Sequence, residues 1–484
     1  LGTTFSAVAV VDENGQARAI PNAEGMLTTP SVALWHDNAF LVGQPALDMV
    51  YQARGSRREQ LDAALIRAVK RMISEPPSGG LSSNGHLTTP VEVSAAILAK
   101  LARDASARLG FSVRDTVITV PAHFGDRERN ATRKAAEMAG LQVQQIMNEP
   151  SAAALTYTHH QSVKPGTALV FDLGGGTFDA TVLQIEERES RVLATQGIEE
   201  MGGINFTNAL AAFLRRSYQQ QTGTPYPDDL SATDTLIVEA ERAKCSLSEQ
   251  EEVIVSLAPA SQPAARLRVT RKQFEDEIDF YLFDLQVAVE QALDRAHKTP
   301  DQIDRVLLCG GSSRIPAVQR MLADLFARPP ERTIDLDLSV ALGAAYQAWN
   351  RAQLHQYPGL QVMPGGLVID SASYAVGIAA LAPRGDRLVK LIMLHQGEAL
   401  DTWSPPFQVR IMGTTADFPP IAVYKGEGED LDSSDYLGDI TLALPPGTQP
   451  GTRASVRMLQ DQSGLIQVQL TIGDKALPGT LHRV

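Results

Sequence analysis

Several patterns are missing from this chain of 484 residues, and each absence removes a class of function. Two cysteines, Cys245 and Cys309, offer neither a zinc-ligand set nor a disulfide framework and fit a reducing compartment. The nine histidines include no HExxH, and His159-His160 sits in a polar connecting stretch, so a metalloprotease has little support. No Gly-Lys pair occurs anywhere, which excludes a Walker-type phosphate loop. Lysine is scarce, 10 of 43 basic residues, and against 56 acidic ones the net charge is −13. Neutralising nucleic-acid phosphates takes clustered cations, so no nucleic-acid partner is expected. The longest apolar run, Tyr374 to Ala382, is nine residues and stops at Pro383, far short of the roughly 18 that span a bilayer. With no secretory signal either, a soluble cytoplasmic protein without a membrane partner is expected.

What is present is ordinary globular sequence, 44% hydrophobic and long enough for about three domains or large subdomains. Leu1 to Val11 reads as a Gly/Thr turn entering a buried strand, and Asp12-Glu13-Asn14-Gly15 as a hairpin turn. Apolar residues at helical spacing predict helices over Gln60–Ile73, Val91–Leu109, Asp126–Ala139, Ser151–Thr158 and Ile315–Phe326. Strands are predicted at Thr116–Val120, Val143–Ile146, Ala168–Phe171 and Arg305–Cys309. This alternation is α/β organisation. Beyond Tyr357-Pro358-Gly359 it changes to short alternating runs such as Phe407–Ile411, Ile440–Leu444, Ser455–Leu459 and Leu465–Thr471, separated by Pro, Gly and Asp. That pattern predicts an all-β sandwich after a large α/β domain.

An internal echo points to chemistry. Leu1-Gly-Thr-Thr-Phe-Ser6 and Leu173-Gly-Gly-Gly-Thr-Phe-Asp179 are two glycine/threonine turns in strand-like sequence, and Gly310-Gly311-Ser312-Ser313-Arg314 is a third between strand and helix. Glycines let backbone approach an oxyanion closely, and successive N–H groups form an anion nest. One such turn is an ordinary hairpin; three, with acids beside them, favour a nucleotide cleft.

These turns, together with Val117-Ile-Thr-Val-Pro-Ala-His-Phe124, Asn148-Glu-Pro-Ser-Ala-Ala-Ala154 and Leu308-Cys-Gly-Gly-Ser-Ser-Arg-Ile-Pro316, resemble the heat-shock protein 70 (DnaK-type) chaperones. Asn22-Ala-Glu-Gly25, Thr28-Thr-Pro-Ser31 and Val42-Gly-Gln-Pro-Ala46 match as well, in order along essentially the whole chain. The resemblance implies an actin-like (ribonuclease H-like, duplicated) ATPase domain over 1–357, a linker over 358–371 and a β-sandwich peptide-binding domain over 372–484. It implies ATP or ADP with magnesium, and a potassium ion, as ligands. Gly2, Thr3 and Thr4 would form one phosphate turn, and Gly174, Gly175, Gly176 and Thr177 the other, with Gly202 and Gly203 beside them. Asp172 would hold magnesium through water with Glu149 nearby, Asp179 would orient the attacking water or potassium, and Lys70 would meet the γ-phosphate. Glu241, Lys244 and Ser248, on one helix face by their spacing, would hold the nucleoside from one side. Gly310, Gly311, Ser312, Arg314 and Asp337 would hold it from the other, although an ordinary charged helix face competes for the first three.

The same resemblance makes Gly366-Leu367-Val368-Ile369-Asp370 a docking linker and Pro121 and Arg129 a relay to it, with Gln145 standing where a basic residue is usual. Leu381 would line a peptide cleft, with Phe418 a weaker candidate. Extended polypeptide, a J-domain co-chaperone and a nucleotide-exchange factor are the implied partners. The family carries an Asp before the first turn where this sequence begins at Leu1, so a truncated chain or an incomplete hydrolysis site is expected. The segment from Ile73 to Val117 is short, implying a trimmed β-rich subdomain, and no helical lid follows the β domain. A nucleotide-gated scaffold of the same fold is the alternative function; a metabolite kinase shares the phosphate turns but leaves the β domain unexplained.

Overall fold

Strands buried along nearly their whole length organise the α/β part of the chain. In the computed structural model, all residues are described except 76–79, 161–164, 187–188, 260–261, 332–334, 357–366, 370–371, 373, 382–386, 396–397, 399, 414–418, 427, 429, 432–434, 462, 464 and 483–484. Every residue of Gly166–Leu173 after the first is buried, which requires cover on both faces. This strand pairs in parallel with Arg305–Cys309 on one side and antiparallel with Phe178–Ile185 on the other. Glu189–Ile198 and Leu367–Ile369 complete a five-stranded sheet. Leu169, Phe171 and Leu173 join the large core under the helices Gly203–Thr222, Leu230–Leu247 and Arg271–Arg295, while Ala168 and Val170 meet Ala153, Ala154 and Tyr157 on the opposite face. Period-two alternation thus serves two cores at once.

A separate core gathers Val69, Ile73, Val93, Ile97, Ile118, Val120 and Ile146. It is built on the helix Pro90–Leu109, whose start is fixed by reciprocal Thr89–Glu92 hydrogen bonds and whose end falls at left-handed Gly110. Beyond residue 374, eight antiparallel strands follow the order Leu388–Leu394, Val376–Leu381, Ile421–Lys425, Asp435–Thr441, Lys475–His482, Ile466–Ile472, Arg453–Gln460, Phe407–Arg410. They wrap one core that includes Val376, Val423, Ile440, Met458 and Val468. The β body meets the α/β body at the helix Asp126–Met138: Asp126 N–H donates to Tyr374 Oη (3.2 Å), and Arg127 Nη2 to the Tyr436 carbonyl (3.3 Å). Among the described residues no helix is long and apolar enough to cross a membrane.

Three expectations are corrected. The helix predicted over Gln60–Ile73 runs instead over Gly55–Ala64. Leu65 is extended, Ile66 bridges to Ala33, and Val69–Met72 forms a separate 3₁₀ turn after left-handed Ala68, so tertiary pairing overrides the apolar spacing. The opening is not one buried strand: Phe5–Ser6 pairs with Thr29–Pro30, and half-buried Ala9–Val11 makes the hairpin with Ala17–Ala19. His159 lies in the last turn of the helix Glu149–His160, stacked 3.9 Å from Tyr346, rather than in a connection.

That helix lies hard against Ser339–Gln356. A Cβ at Gly343 would sit 1.7 Å from the Ala152 carbonyl oxygen, a backbone obstacle that no rotamer change relieves. Gly→Ala inside a helix normally gains about 0.5–1 kcal/mol. Here Gly343→Ala is expected to destabilise by at least about 2 kcal/mol, checked by chemical denaturation; a neutral or stabilised variant would contradict this packing.

Candidate functional site

The carboxyl ends of parallel strands deliver the polar residues to one place, the usual location of a ligand crevice in open α/β sheets. Gly166–Leu173 and Arg305–Cys309, with Asp172 opposite Cys309, lead into the second and third glycine turns side by side. Asp115–Val120 and Gln142–Asn148 form a second parallel pair that ends at Glu149, the first residue of its helix. The result is a cavity of about 730 Å³.

Its lining brings together Gly2, Thr3 and Thr4 from the first turn with Gly174, Gly175 and Thr177 from the second. The two turns face each other closely. A Cβ on Gly175 would fall 2.0 Å from Thr4 Oγ1, and one on Gly176 2.5 Å from Thr3 Cγ2. Gly202 sits against the second turn, where a Cβ would lie 2.7 Å from Gly176 N, and Gly203 N–H donates to the Gly174 carbonyl (3.0 Å). Gly176, Gly202 and Asp179 are not among the residues lining the cavity; Gly203 is.

Lys70 projects into this space from the 3₁₀ turn and is only 4% exposed. Its Nζ donates to Glu149 Oε1 in a buried ion pair, so removing either partner would strand a charge in low dielectric. Asp172 is buried beside them and lines the same cavity. Burial, then the Glu149 and Asp179 carboxylates, push its carboxyl up to about 8, against the pull of Lys70. Asp179, cross-strand partner of Asp172, is held by Ala122 N–H (3.3 Å) and stands 3.0 Å from His123 Nδ1. Burial alone would lower the His123 imidazole, but the Asp179 carboxylate reverses this and raises it.

At the other end of the cavity, Glu241, Lys244 and Ser248 line one wall from the helix Leu230–Leu247 and its C-cap. Lys244 Nζ donates to Glu241 Oε2 (2.7 Å), Thr207 Oγ1 (2.9 Å) and the Gly203 carbonyl (3.1 Å). Gly310, Gly311, Ser312, Arg314 and Asp337 line the facing wall. Ser312 Oγ donates to the Gly174 carbonyl (2.9 Å), and Arg314 Nη1 lies 2.9 Å from Asp337 Oδ2. Every nucleotide-site residue expected from sequence is therefore in or directly behind one cavity.

The donor set fits a polyphosphate with a divalent cation. Opposed glycine turns supply backbone for the anion, and the Asp172 and Glu149 carboxyls beside Lys70 line the same cavity and supply oxygen donors for a cation. Among the described residues no three His, Cys, Asp or Glu side chains converge to ligate a metal directly. Residues that sequence reasoning missed include Arg71, His123, Thr119 and Asp335. His123 lay inside a recognised signature, whereas nothing in the local sequence distinguishes the neighbours of Lys70.

The coupling and peptide candidates lie elsewhere. Arg129 is buried and donates to the Phe124 carbonyl (2.9 Å), to Asn148 Oδ1 and across to the Ser463 carbonyl of the β body (3.4 Å). Pro121 ends the strand Asp115–Val120, and its carbonyl accepts from Phe124 N–H (3.2 Å). Gln145 is buried and accepts from Gln347 (2.7 Å) and Arg351 (3.2 Å). Leu367–Ile369 adds to the five-stranded sheet in parallel with Glu189–Arg191. Leu381 is exposed at a strand end, opposite exposed Leu388. Asp370 and Phe418 lie outside the described residues.

An α/β body with opposed glycine turns around a buried lysine–carboxylate pair, joined to an antiparallel β body, defines a two-body protein with a cleft suited to polyphosphate. The chain belongs to the Hsp70 family: the family model described as Hsp70 protein matches residues 1–475. It is similar to the chaperone protein DnaK of Thermus thermophilus, 41% identical over 367 residues, covering 72% of this chain and 59% of that protein. It is also similar to DnaK of Deinococcus radiodurans (39% over 494 residues) and of Thermotoga petrophila (34% over 481 residues), each match covering 97% of this chain and 76% of the relative. The chain thus spans less than two thirds of the Thermus relative.

The carboxyl of Asp172 gives a pH test. Its folded value stands near 8, well above the ordinary range of about 4. Between those values the folded protein keeps a proton that the unfolded chain releases, so stability falls as pH rises, by at most about 1.4 kcal/mol per pH unit. Without added nucleotide or metal, Asp172→Asn is expected to raise the melting temperature at about pH 7.5 and to flatten its decline from about pH 5 to about pH 8. An unchanged slope would mean that the carboxyl is not held protonated.

Proposed function

We propose that this chain is an ATP-dependent molecular chaperone that couples ATP hydrolysis to the binding of extended hydrophobic polypeptide. The observation that carries the reading is the meeting of two glycine turns with buried Lys70 in one cavity, in a chain of the Hsp70 family. Residues 1–357 act as an actin-like nucleotide domain, 358–371 as linker and 372–484 as the β-sandwich peptide domain.

Gly2, Thr3, Thr4, Gly174, Gly175, Gly176 and Thr177 bind the phosphates through backbone and hydroxyl groups, with Gly202 and Gly203 buttressing the second turn. Phosphoryl transfer passes through a loose transition state, so the chain mainly positions and neutralises. Lys70 meets the γ-phosphate, Asp179 orients the attacking water or a potassium ion, and Asp172 with Glu149 faces magnesium. When bound, magnesium neutralises charge on the phosphate oxygens. Glu241, Lys244 and Ser248 hold the nucleoside against Gly310, Gly311, Ser312, Arg314 and Asp337. Arg314 supplies the planar cation that can stack on a base.

Peptide binds beside Leu381, by added backbone hydrogen bonds and apolar contact. Coupling passes from Glu149 through neighbouring Asn148 to Arg129 and the β body, with Pro121 fixing the adjoining turn and Leu367 and Val368 docking the linker. Extended polypeptide, a J-domain co-chaperone and a nucleotide-exchange factor are the partners, in the cytoplasm.

Lys70→Ala is expected to keep nucleotide binding while single-turnover hydrolysis drops at least about 100-fold, the scale of a lost charge at the transferring group. Unchanged hydrolysis would remove Lys70 from the mechanism. Replacing Leu367 and Val368 together by Asp is expected to leave basal hydrolysis in place and abolish its stimulation by a hydrophobic peptide. Normal stimulation in that variant would reduce the linker to a tether.

A further inference from the structure

Arg71 follows Lys70 in the 3₁₀ turn Val69–Met72, yet the two side chains diverge. Lys70 goes to Glu149, and Arg71 crosses to the second glycine turn. Its Nε and Nη2 both donate to the Gly176 carbonyl, at 3.0 and 2.6 Å, and Nη2 lies 3.4 Å from Asn205 Oδ1. Asn205 Oδ1 in turn accepts from Gly202 N–H (3.1 Å) at the start of the helix Gly203–Thr222. The guanidinium fits against backbone closely: a Cβ at Gly176 would sit 2.7 Å from Arg71 Nε.

These partners belong to different cores. Val69, two residues before Arg71, is buried with Val93, Ile97 and Ile146, whereas Phe178 and Phe206, flanking Gly176 and Asn205, belong to the core under the large helices. The contact ties two separately packed cores of the α/β body through a guanidinium, which donates in a fixed planar fork that an ammonium cannot reproduce. Burial lowers the pKa of Arg71, opposed by Glu200, as expected for a cation partly withdrawn from water.

We propose that Arg71 is a positioning residue, a clasp that sets the second phosphate turn against Lys70 and slows the release of bound nucleotide. The inference rests on the proposed nucleotide site. Arg71 acts through the Gly176 carbonyl on the turn whose Gly174, Gly175 and Thr177 line the cavity. Losing it frees that turn and the Asn205 side chain together, while Lys70 and Glu149 stay paired.

The test is stopped-flow release of N-methylanthraniloyl-ATP with magnesium from wild type, Arg71→Ala, Arg71→Lys and Asn205→Ala, with single-turnover hydrolysis alongside. Release at least about tenfold faster from Arg71→Ala is expected, one hydrogen-bonded contact being worth about that factor. Arg71→Lys should recover only part of the loss, since one ammonium cannot make the forked contact. Combining Arg71→Ala with Asn205→Ala should add little to Arg71→Ala alone, because both act on one network. Wild-type release rates in both Arg71 variants would overturn the clasp, as would full additivity of the two alanine substitutions. A wild-type protein that fails to bind the analogue would instead overturn the nucleotide-site reading. Should Arg71→Ala not fold, Arg71→Lys still decides: release at the wild-type rate overturns the clasp, and faster release supports it.

Discussion

Charge balance inside the cleft is the constraint on which the site depends. Asp172, Asp179 and Glu149 are delivered by strand ends and a helix start that the sheet architecture forces together, and buried Lys70 is the cation that faces them. Three acids and one lysine cannot all stay ionised in low dielectric without further compensation. Burial, and after it the Glu149 and Asp179 carboxylates, push the Asp172 carboxyl up to about 8. A polyphosphate alone would worsen the repulsion; a phosphate-bound divalent cation relieves it.

Hydrogen bonds and adjacent residues link the same cleft to the contact between the two bodies. Glu149 pairs with Lys70, and its neighbour Asn148 accepts from Arg129, whose Nη1 reaches the Ser463 carbonyl at 3.4 Å. Ser463 Oγ also accepts from Ile146 N–H (3.3 Å), on the strand that leads to Asn148. One strand, Gln142–Asn148, thus touches the β body at Ile146 and delivers Glu149 to the cavity. Under the proposed function, a change at Glu149 could bias the β body only if these hydrogen bonds differ between nucleotide states.

Much of this was legible locally. The helices predicted to end at Leu109 and Ala139 stop within a residue of those positions, each closed by a left-handed glycine, Gly110 and Gly140, and the strand at Arg305–Cys309 runs as the sequence suggested. The glycine turns were legible because only glycine tolerates the approach of Thr3 and Thr4 to the opposite turn. The stretch from Gln60 to Ile73 was misread, since its apolar residues serve two structures: Leu61 and Ala64 face one small core, and Val69 and Ile73 another. Helical spacing cannot register that division, nor the bridge from Ile66 to Ala33 that breaks the helix.

By itself the sequence determined residue types and their local order: the glycine turns, the helix caps, the α/β pattern and the change to short β runs, all governed by contacts within a few residues. The tertiary structure decided which distant groups meet. That Arg71 crosses to Gly176, that His123 stands beside Asp179 and that Asn148 joins Arg129 each depends on separations of 19 to 105 residues. No periodicity encodes such pairs, because they arise only when separately packed cores are brought to a common cleft.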